Sequence, residues 1–201
     1  MGGSCMQTMT DRPSLNLFGV QMERIPDNLL LEPIEYIFAD HCRQRDMCTA
    51  LKALCQQKNL GDIETEWVRV MLDCLEVDLP LHVADEEKDL FPRLRQKAKP
   101  EDKFEDTLYL LSSEHERDRV LVQDVLEGIR SLANGMPIDN TNEFRTSAQV
   151  FSQIHLSHLN WENTVILELA RLRLDAQDQR AMAVNMAARR GIVLPEINGN
   201  E

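Results

Sequence analysis

His82 and Glu86 stand four residues apart, and so do His158 and Glu162. Four residues advance an α-helix by about 1.1 turns, so each imidazole and its carboxylate leave the helix on one face. Imidazole nitrogen and carboxylate oxygen together suit iron, manganese or zinc. One such pair is common and often makes only a surface hydrogen bond. Two pairs, with His41 and His115 adding one imidazole each from elsewhere in the chain, point to a shared metal cluster. The candidate ligands are therefore His41, His82, Glu86, His115, His158 and Glu162. His155 lies on the face of His158 and Glu162 and is read as a fifth imidazole ligand, a donor behind the ligands, or a gate. Asp40 and Glu114 each precede a histidine and are candidate partners for the imidazoles. Glu87 and Glu116 are further acids of the same kind, or solvated.

Long helices must position these groups. Apolar residues recur at three- and four-residue intervals in four long stretches. The first runs from about Glu32 to Gln57, with Ile34, Ile37, Phe38, Leu51, Leu54 and Cys55 inward. The second runs from Asp62, read as an N-cap, to about Ala98, with Val68, Met71, Leu72, Leu75, Leu79, Val83, Leu90 and Leu94 as its stripe. Pro80 should kink it, and Pro92 should bend or end it. The third covers about Glu101 to Ala133 and stops at Asn134, Gly135 and Pro137. The fourth spans about Thr141 to Leu172, with Ile154, Val165 and Leu169 expected to flank its ligands. Asp175 caps a shorter fifth helix that ends at Arg189, Arg190 and Gly191. One histidine falls on each of the first three helices and two on the fourth. The expected fold is an all-α, up-down-up-down four-helix bundle over residues 32–173, preceded by an irregular N-terminal arm (1–31) and followed by a C-terminal helix and tail (174–201).

Composition narrows the partners. Aromatics make up 5% of 201 residues, with 8 Gly and 8 Pro, which disfavours a β-sandwich or barrel. The formal net charge of −12 repels phosphate backbones and suits a cation. No apolar run approaches the roughly 20 residues that span a bilayer. No secretory leader is evident at Met1 to Thr10, and Met6 departs from the myristoylation pattern that Gly2 suggests. The 5 cysteines lack any Cys-x-x-Cys spacing and are expected to be reduced thiols in a cytoplasmic protein. Cys48 and Cys55, a heptad apart, leave a redox-sensing role open.

His82-Val-Ala-Asp-Glu-Glu-Lys-Asp-Leu-Phe-Pro92 resembles the His-x-x-x-Glu-Glu-x-x-Leu-Phe-Pro signature of hemerythrin-like (HHE) cation-binding domains. Ile34-Glu-Tyr-Ile-Phe-Ala-Asp-His41 and Leu111-Ser-Ser-Glu-His115 resemble the first and third ligand helices of that family. His158-Leu-Asn-Trp-Glu162-Asn-Thr-Val-Ile-Leu resembles the fourth, as seen in its di-iron, iron–sulfur-repair branch. The tail from Met182 to Gly191 is similar to that of bacterial members. Two features depart from the pattern. The third helix lacks the His-x-x-x-His pair of oxygen carriers, and residues 1–31 are too short for the cysteine-bearing domain of the repair branch, although Cys5 is present.

The resemblance implies two iron ions sharing Glu86 and Glu162, joined by an oxo or hydroxo bridge, with manganese or zinc as alternatives. It implies a protein that binds dioxygen or nitric oxide for sensing, storage or detoxification. Two other readings stay open at this point. One is a di-iron enzyme consuming peroxide or nitric oxide, or an iron donor for iron–sulfur repair. The other is a metal-free helical interaction module. No nucleic-acid or membrane partner is expected, and the C-terminal helix and N-terminal arm offer a face for a homodimer.

Overall fold

The computed structural model describes residues 15–17, 19–22, 24–102 and 104–195. Its frame is four long helices, α1 (Pro33–Cys55), α2 (65–97), α3 (Phe104–Ala133) and α4 (141–173), followed by α5 (Ala176–Arg189). Ahead of them a short antiparallel hairpin pairs β1 (Leu15–Leu17) with β2 (Val20–Met22), with Leu15 opposite Met22 and Leu17 opposite Val20. Met22 is buried against the bundle.

The core has two apolar clusters with a polar layer between them. One cluster joins the C-terminal half of α1 and the N-terminal half of α2 to the matching ends of α3 and α4, through Leu51, Met71, Val125 and Phe151. The other joins the opposite ends through Ile37, Leu90, Leu108 and Ile166, and α5 closes it with Met182 and Met186. Chain direction alternates along α1 to α4, as an up-down-up-down bundle requires.

Local chemistry sets the ends of the helices. Gly135 and Gly191 take positive φ (69° and 66°) just past α3 and α5. Met136 N–H then reaches the Ser131 carbonyl and Ile192 N–H reaches that of Ala187, both at 2.9 Å, which satisfies carbonyls that helix ends leave orphaned. Asp175 caps α5 by accepting from the backbone N–H groups of Gln177 and Asp178, while the Asp178 carboxylate accepts from the Asp175 N–H. Asn140 caps α4 through the Glu143 N–H.

Several inward positions differ from the sequence expectation. Asp62 does not cap α2; it ends a 3₁₀ turn, Leu60–Asp62, capped by Asn59, and α2 begins at Thr65. Phe38 is 41% exposed, because the inward edge of α1 runs through Ile34, Ile37, His41 and Gln44 and leaves position 38 on the rim. The Arg171 guanidinium lies 5.9 Å over its ring. Leu72 and Val83 are half-buried.

Pro80 and Pro92 neither end nor break α2. Each follows a π turn, Cys74–Asp78 and Glu86–Leu90, in which Leu79 N–H bonds to the Cys74 carbonyl and Phe91 N–H to that of Glu86. The wider turn gives each proline ring space beside the carbonyl behind it and lets the helix continue. A third π turn, Glu162–Ile166, has no proline. Its extra residue shifts the register of α4, so Ile166, Leu167 and Ala170 face the core, and Val165 and Leu169 are half-buried. Ile154, one turn before His158, is half-buried as well.

Buried charge fixes α5. Arg190 makes a two-pronged bond to Asp85 (2.6 and 3.1 Å) and donates to the Tyr36 hydroxyl at 3.0 Å. Arg189 bonds Asp85 at 2.9 Å and also Asp89, which accepts from Arg93 and Asn185 as well. Removing one partner of such a pair leaves the other charge buried. Arg190→Ala is expected to destabilise the fold by about 3–5 kcal/mol in urea unfolding, whereas a loss under about 1 kcal/mol would mean the pair is solvated in solution. Gly128 of α3 lies against Phe144 of α4, and a Cβ there would overlap the Phe144 ring. Phe144 is itself buried in the core. Gly128→Ala is expected to cost about 1–3 kcal/mol by overpacking, despite a helix-propensity gain of about 1 kcal/mol, and a stabilised variant would show that the helices part freely.

Candidate metal centre

The polar layer contains all six candidate ligands. His41 comes from α1, His82 and Glu86 from α2, His115 from α3, and His158 and Glu162 from α4. The side chains of Glu86 and Glu162 are fully sealed from solvent. Each carboxylate faces histidines from both halves of the bundle. Glu86 Oε1 is 3.5 Å from His41 Nε2, and its Oε2 is 3.4 Å from His82 Nε2 and 3.2 Å from His115 Nε2. Glu162 Oε2 is 3.5 Å from His41 Nε2, and its Oε1 is 3.0 Å from His158 Nε2 and 3.7 Å from His115 Nε2. Two four-residue groups result, His41–His82–Glu86–Glu162 and Glu86–His115–His158–Glu162, with ligand atoms within 4.8 Å of one another in each. The two glutamates belong to both.

The outward nitrogens explain why the imidazoles aim inward. His82 Nδ1 lies 3.1 Å from Asp40, His158 Nδ1 2.9 Å from Glu114, His115 Nδ1 2.8 Å from Glu87, and His41 Nδ1 2.7 Å from Asn163 Oδ1. Each acceptor holds the proton on Nδ1 and leaves the Nε2 lone pair free to bind a cation. The acid before one histidine thus supports the histidine on the next helix. The residue after each glutamate, at the start of a π turn, supports the histidine of a neighbouring helix. Sequence reasoning proposed Asp40, Glu114 and Glu87 for such roles and missed Asn163, an amide in an exposed-looking helical stretch. Glu116 is exposed and pairs with Arg119 at 2.7 Å.

His155 belongs to neither group. Its Nδ1 is 3.2 Å from Asp118, its Nε2 is 2.7 Å from Gln44, and its ring stacks on Phe151. Gln44 donates to Asp40 at 3.1 Å, so hydrogen bonds link His155 to the residue behind His82.

The donor set fits a cation. The four carboxylate oxygens of Glu86 and Glu162, with His41 Nε2 and His82 Nε2, are buried without a hydrogen-bond donor. His115 and His158 bring their Nε2 atoms within 3.1 Å of each other, where two lone pairs repel unless a proton or a cation lies between them. Ligand atoms bound about 2.0–2.2 Å from one ion stand about 3–4 Å apart, which is the spacing seen here.

Electrostatics agree. Burial opposes the charge on His82, but Glu86 and Asp40 outweigh it and hold its pKa up at about 9. Burial likewise opposes the charge on His158, and Glu162 holds it at about 9. For His115, the neighbouring Glu162, Glu86 and Glu87 carboxylates overcome burial and push its pKa up to about 12. Burial raises the Glu86 and Glu162 carboxyls, but the imidazoles hold both below the ordinary carboxylate range. Burial lowers the pKa of His155.

A cavity of about 740 Å³ between α2 and α3 ends at the cluster. His82, His115, His158 and Glu87 form its inner wall, and Leu75, Leu79, Val122 and Leu126 line its apolar sides.

A helical bundle with buried histidines and glutamates converging from four helices defines the cation-binding class of such bundles. Residues 32–170 match the family model for the hemerythrin HHE cation-binding domain, and the chain belongs to that family. No curated protein and no solved structure gives a significant match.

The raised histidine pKa values carry a sign. In the metal-free protein they add stability that is complete below the unfolded value near 6.5 and is lost as pH rises through about 9. A cation needs neutral imidazoles, so binding expels protons. Metal affinity is therefore expected to rise from about pH 6 to 9 while the melting temperature of the metal-free protein falls over the same range. Calorimetry in buffers of different ionisation enthalpy measures the proton release, and pH-independent binding would contradict this arrangement.

Proposed function

We propose that the protein holds two iron ions between His41, His82, Glu86, His115, His158 and Glu162 and binds dioxygen or nitric oxide there, for sensing, storage or detoxification. The observation that carries this reading is the set of inward donor atoms. Two buried carboxylates leave every oxygen without a donor, and four imidazoles anchored through Nδ1 turn Nε2 toward them. Imidazole and carboxylate ligands suit iron, and the family model matched is a cation-binding one. Bound iron would supply reducible, incompletely filled coordination positions for a diatomic ligand. The chain's own residues do the rest. Glu86 and Glu162 span both halves and hold them at fixed separation, and Asp40, Glu87, Glu114 and Asn163 hold the ring orientations. The apolar sides of the cavity admit a small uncharged molecule and restrict water.

The volume of that cavity favours a second reading, because a diatomic needs far less space than 740 Å³. The site would then turn over peroxide or nitric oxide. Consumption of either by iron-loaded protein, lost in Glu86→Ala, separates an enzyme from a carrier.

Cys42, Cys48, Cys55 and Cys74 are present as thiols, which fits the reducing cytoplasm we propose as its compartment. Burial pushes the Cys48 thiol up to about 12 and that of Cys55 to about 11, which makes both poor nucleophiles and speaks against redox sensing. Among the described residues no helix is long and apolar enough to cross a membrane.

Iron content tests the assignment. Protein reconstituted anaerobically is expected to hold about two irons per chain, and a His82→Ala, Glu162→Ala double variant to lose most of it. Unchanged iron in that variant would end the proposal. Nitric oxide or air should then alter the visible absorption of the loaded parent and not that of the variant.

A further inference from the structure

The two halves of the cluster repeat each other with one exception. Asp40 on α1 supports His82 on α2, as Glu114 on α3 supports His158 on α4. Glu87 follows Glu86 and supports His115 at 2.8 Å. The matching place after Glu162 is taken by Asn163, which supports His41 at 2.7 Å. A carboxylate stands on one side and a neutral amide on the other.

That difference acts on the cation through the imidazole. A carboxylate accepting the Nδ1 proton makes the opposite nitrogen a stronger donor, and an amide oxygen does so less. Two carboxylates thus back the His115–His158 half, and one backs the His41–His82 half. Asp40, the single acid of the latter, also faces the Arg43 guanidinium. Glu87 and Glu114 are 31% and 29% exposed, so water screens their longer-range field, but their direct bonds to the imidazoles remain. Access differs as well, since the cavity wall includes both histidines of the His115–His158 half but only His82 of the other.

We propose that the half-sites are unequal: the His115–His158 half binds a divalent cation first and more tightly, and Glu87 opposite Asn163 sets the difference. The proposal rests on the reading of the cluster as a two-cation site. Repulsion between two bound cations would separate two binding steps even in equal halves, so each half has to be measured alone.

Zinc, which has no redox chemistry, is the probe, titrated into the metal-free full chain against a competing chelator. The parent should take up two ions. His41→Ala, which leaves the Glu87 half complete, is expected to bind one zinc about 10–100-fold more tightly than His115→Ala, which leaves the Asn163 half complete. Adding Glu87→Gln to the first should weaken it about tenfold or more, and adding the near-isosteric Asn163→Asp to the second should strengthen it by a similar factor. Far-ultraviolet circular dichroism verifies that each variant is folded. Equal or reversed affinities of the two single variants overturn the proposal, as does an Asn163→Asp change that leaves zinc affinity where it was. Failure of the folded parent to bind zinc or ferrous iron would instead remove the two-cation reading itself.

Discussion

Two glutamates facing each other in a closed core are the constraint on which this structure depends. Glu86 and Glu162 have no exposed side-chain surface, and none of their oxygens has a donor. An isolated buried carboxylate costs several kcal/mol even after relaxation, and two repel each other. The bundle supports such a pair only with compensating positive charge, supplied by protons on the surrounding imidazoles or by cations. The rest of the polar layer serves that requirement. Four helices each contribute an imidazole, and each imidazole is backed by an acceptor that fixes which nitrogen faces inward. Apolar clusters above and below the layer seal the two glutamates from solvent.

The backbone is adapted at the same points. Both buried glutamates open a π turn, one on α2 and one on α4. The residue after each glutamate supports a histidine on another helix, so one widened turn supplies a cluster carboxylate and the anchor of a cluster imidazole. Pro92 accounts for the turn on α2 by removing a backbone donor, but α4 has no proline near Glu162. Shared geometry at the two glutamates is therefore better explained by the site than by local sequence. The same region of α2 is held from outside. Asp85, next to Glu86, is gripped by Arg189 and Arg190 of α5. Asp85 and Glu86 leave adjacent positions of one helix about 100° apart, and this couples docking of α5 to the position of Glu86.

Much of this was legible in the sequence, for physical reasons. Helical periodicity identifies long helices because most of their apolar residues must face one core. The His-x-x-x-Glu spacing picks out side chains that converge in the core because four residues nearly close a turn. What escaped involves positions that periodicity misplaces. Each π turn inserts a residue, so stripes extended past Glu162 point to Val165 and Leu169 when Ile166, Leu167 and Ala170 are the inward set. Asn163 is an ordinary helical amide until the widened turn brings it to His41. Asp85 and Asp89 look like two more surface acids, and only the packing of α5 shows that they are buried with arginines. His155 shares the helix face of His158 and Glu162, which left its role open in the sequence; its two nitrogens are taken by Asp118 and Gln44, contacts between helices that no single-helix pattern contains.

His155 also shows how the site separates binding from support. It is buried, it stacks 6.1 Å from His158, and it carries the same chemistry as the four cluster histidines. Geometry alone excludes it: it lies about one turn before His158, and Asp118 and Gln44 hold its ring in place. Gln44 then passes that constraint to Asp40 and so to His82. A fifth imidazole in the cluster would leave one half with three histidines. Held apart, it leaves each half with two imidazoles and a share in both carboxylates. That even division of imidazoles around the two shared carboxylates is the geometry on which the proposed two-cation site rests.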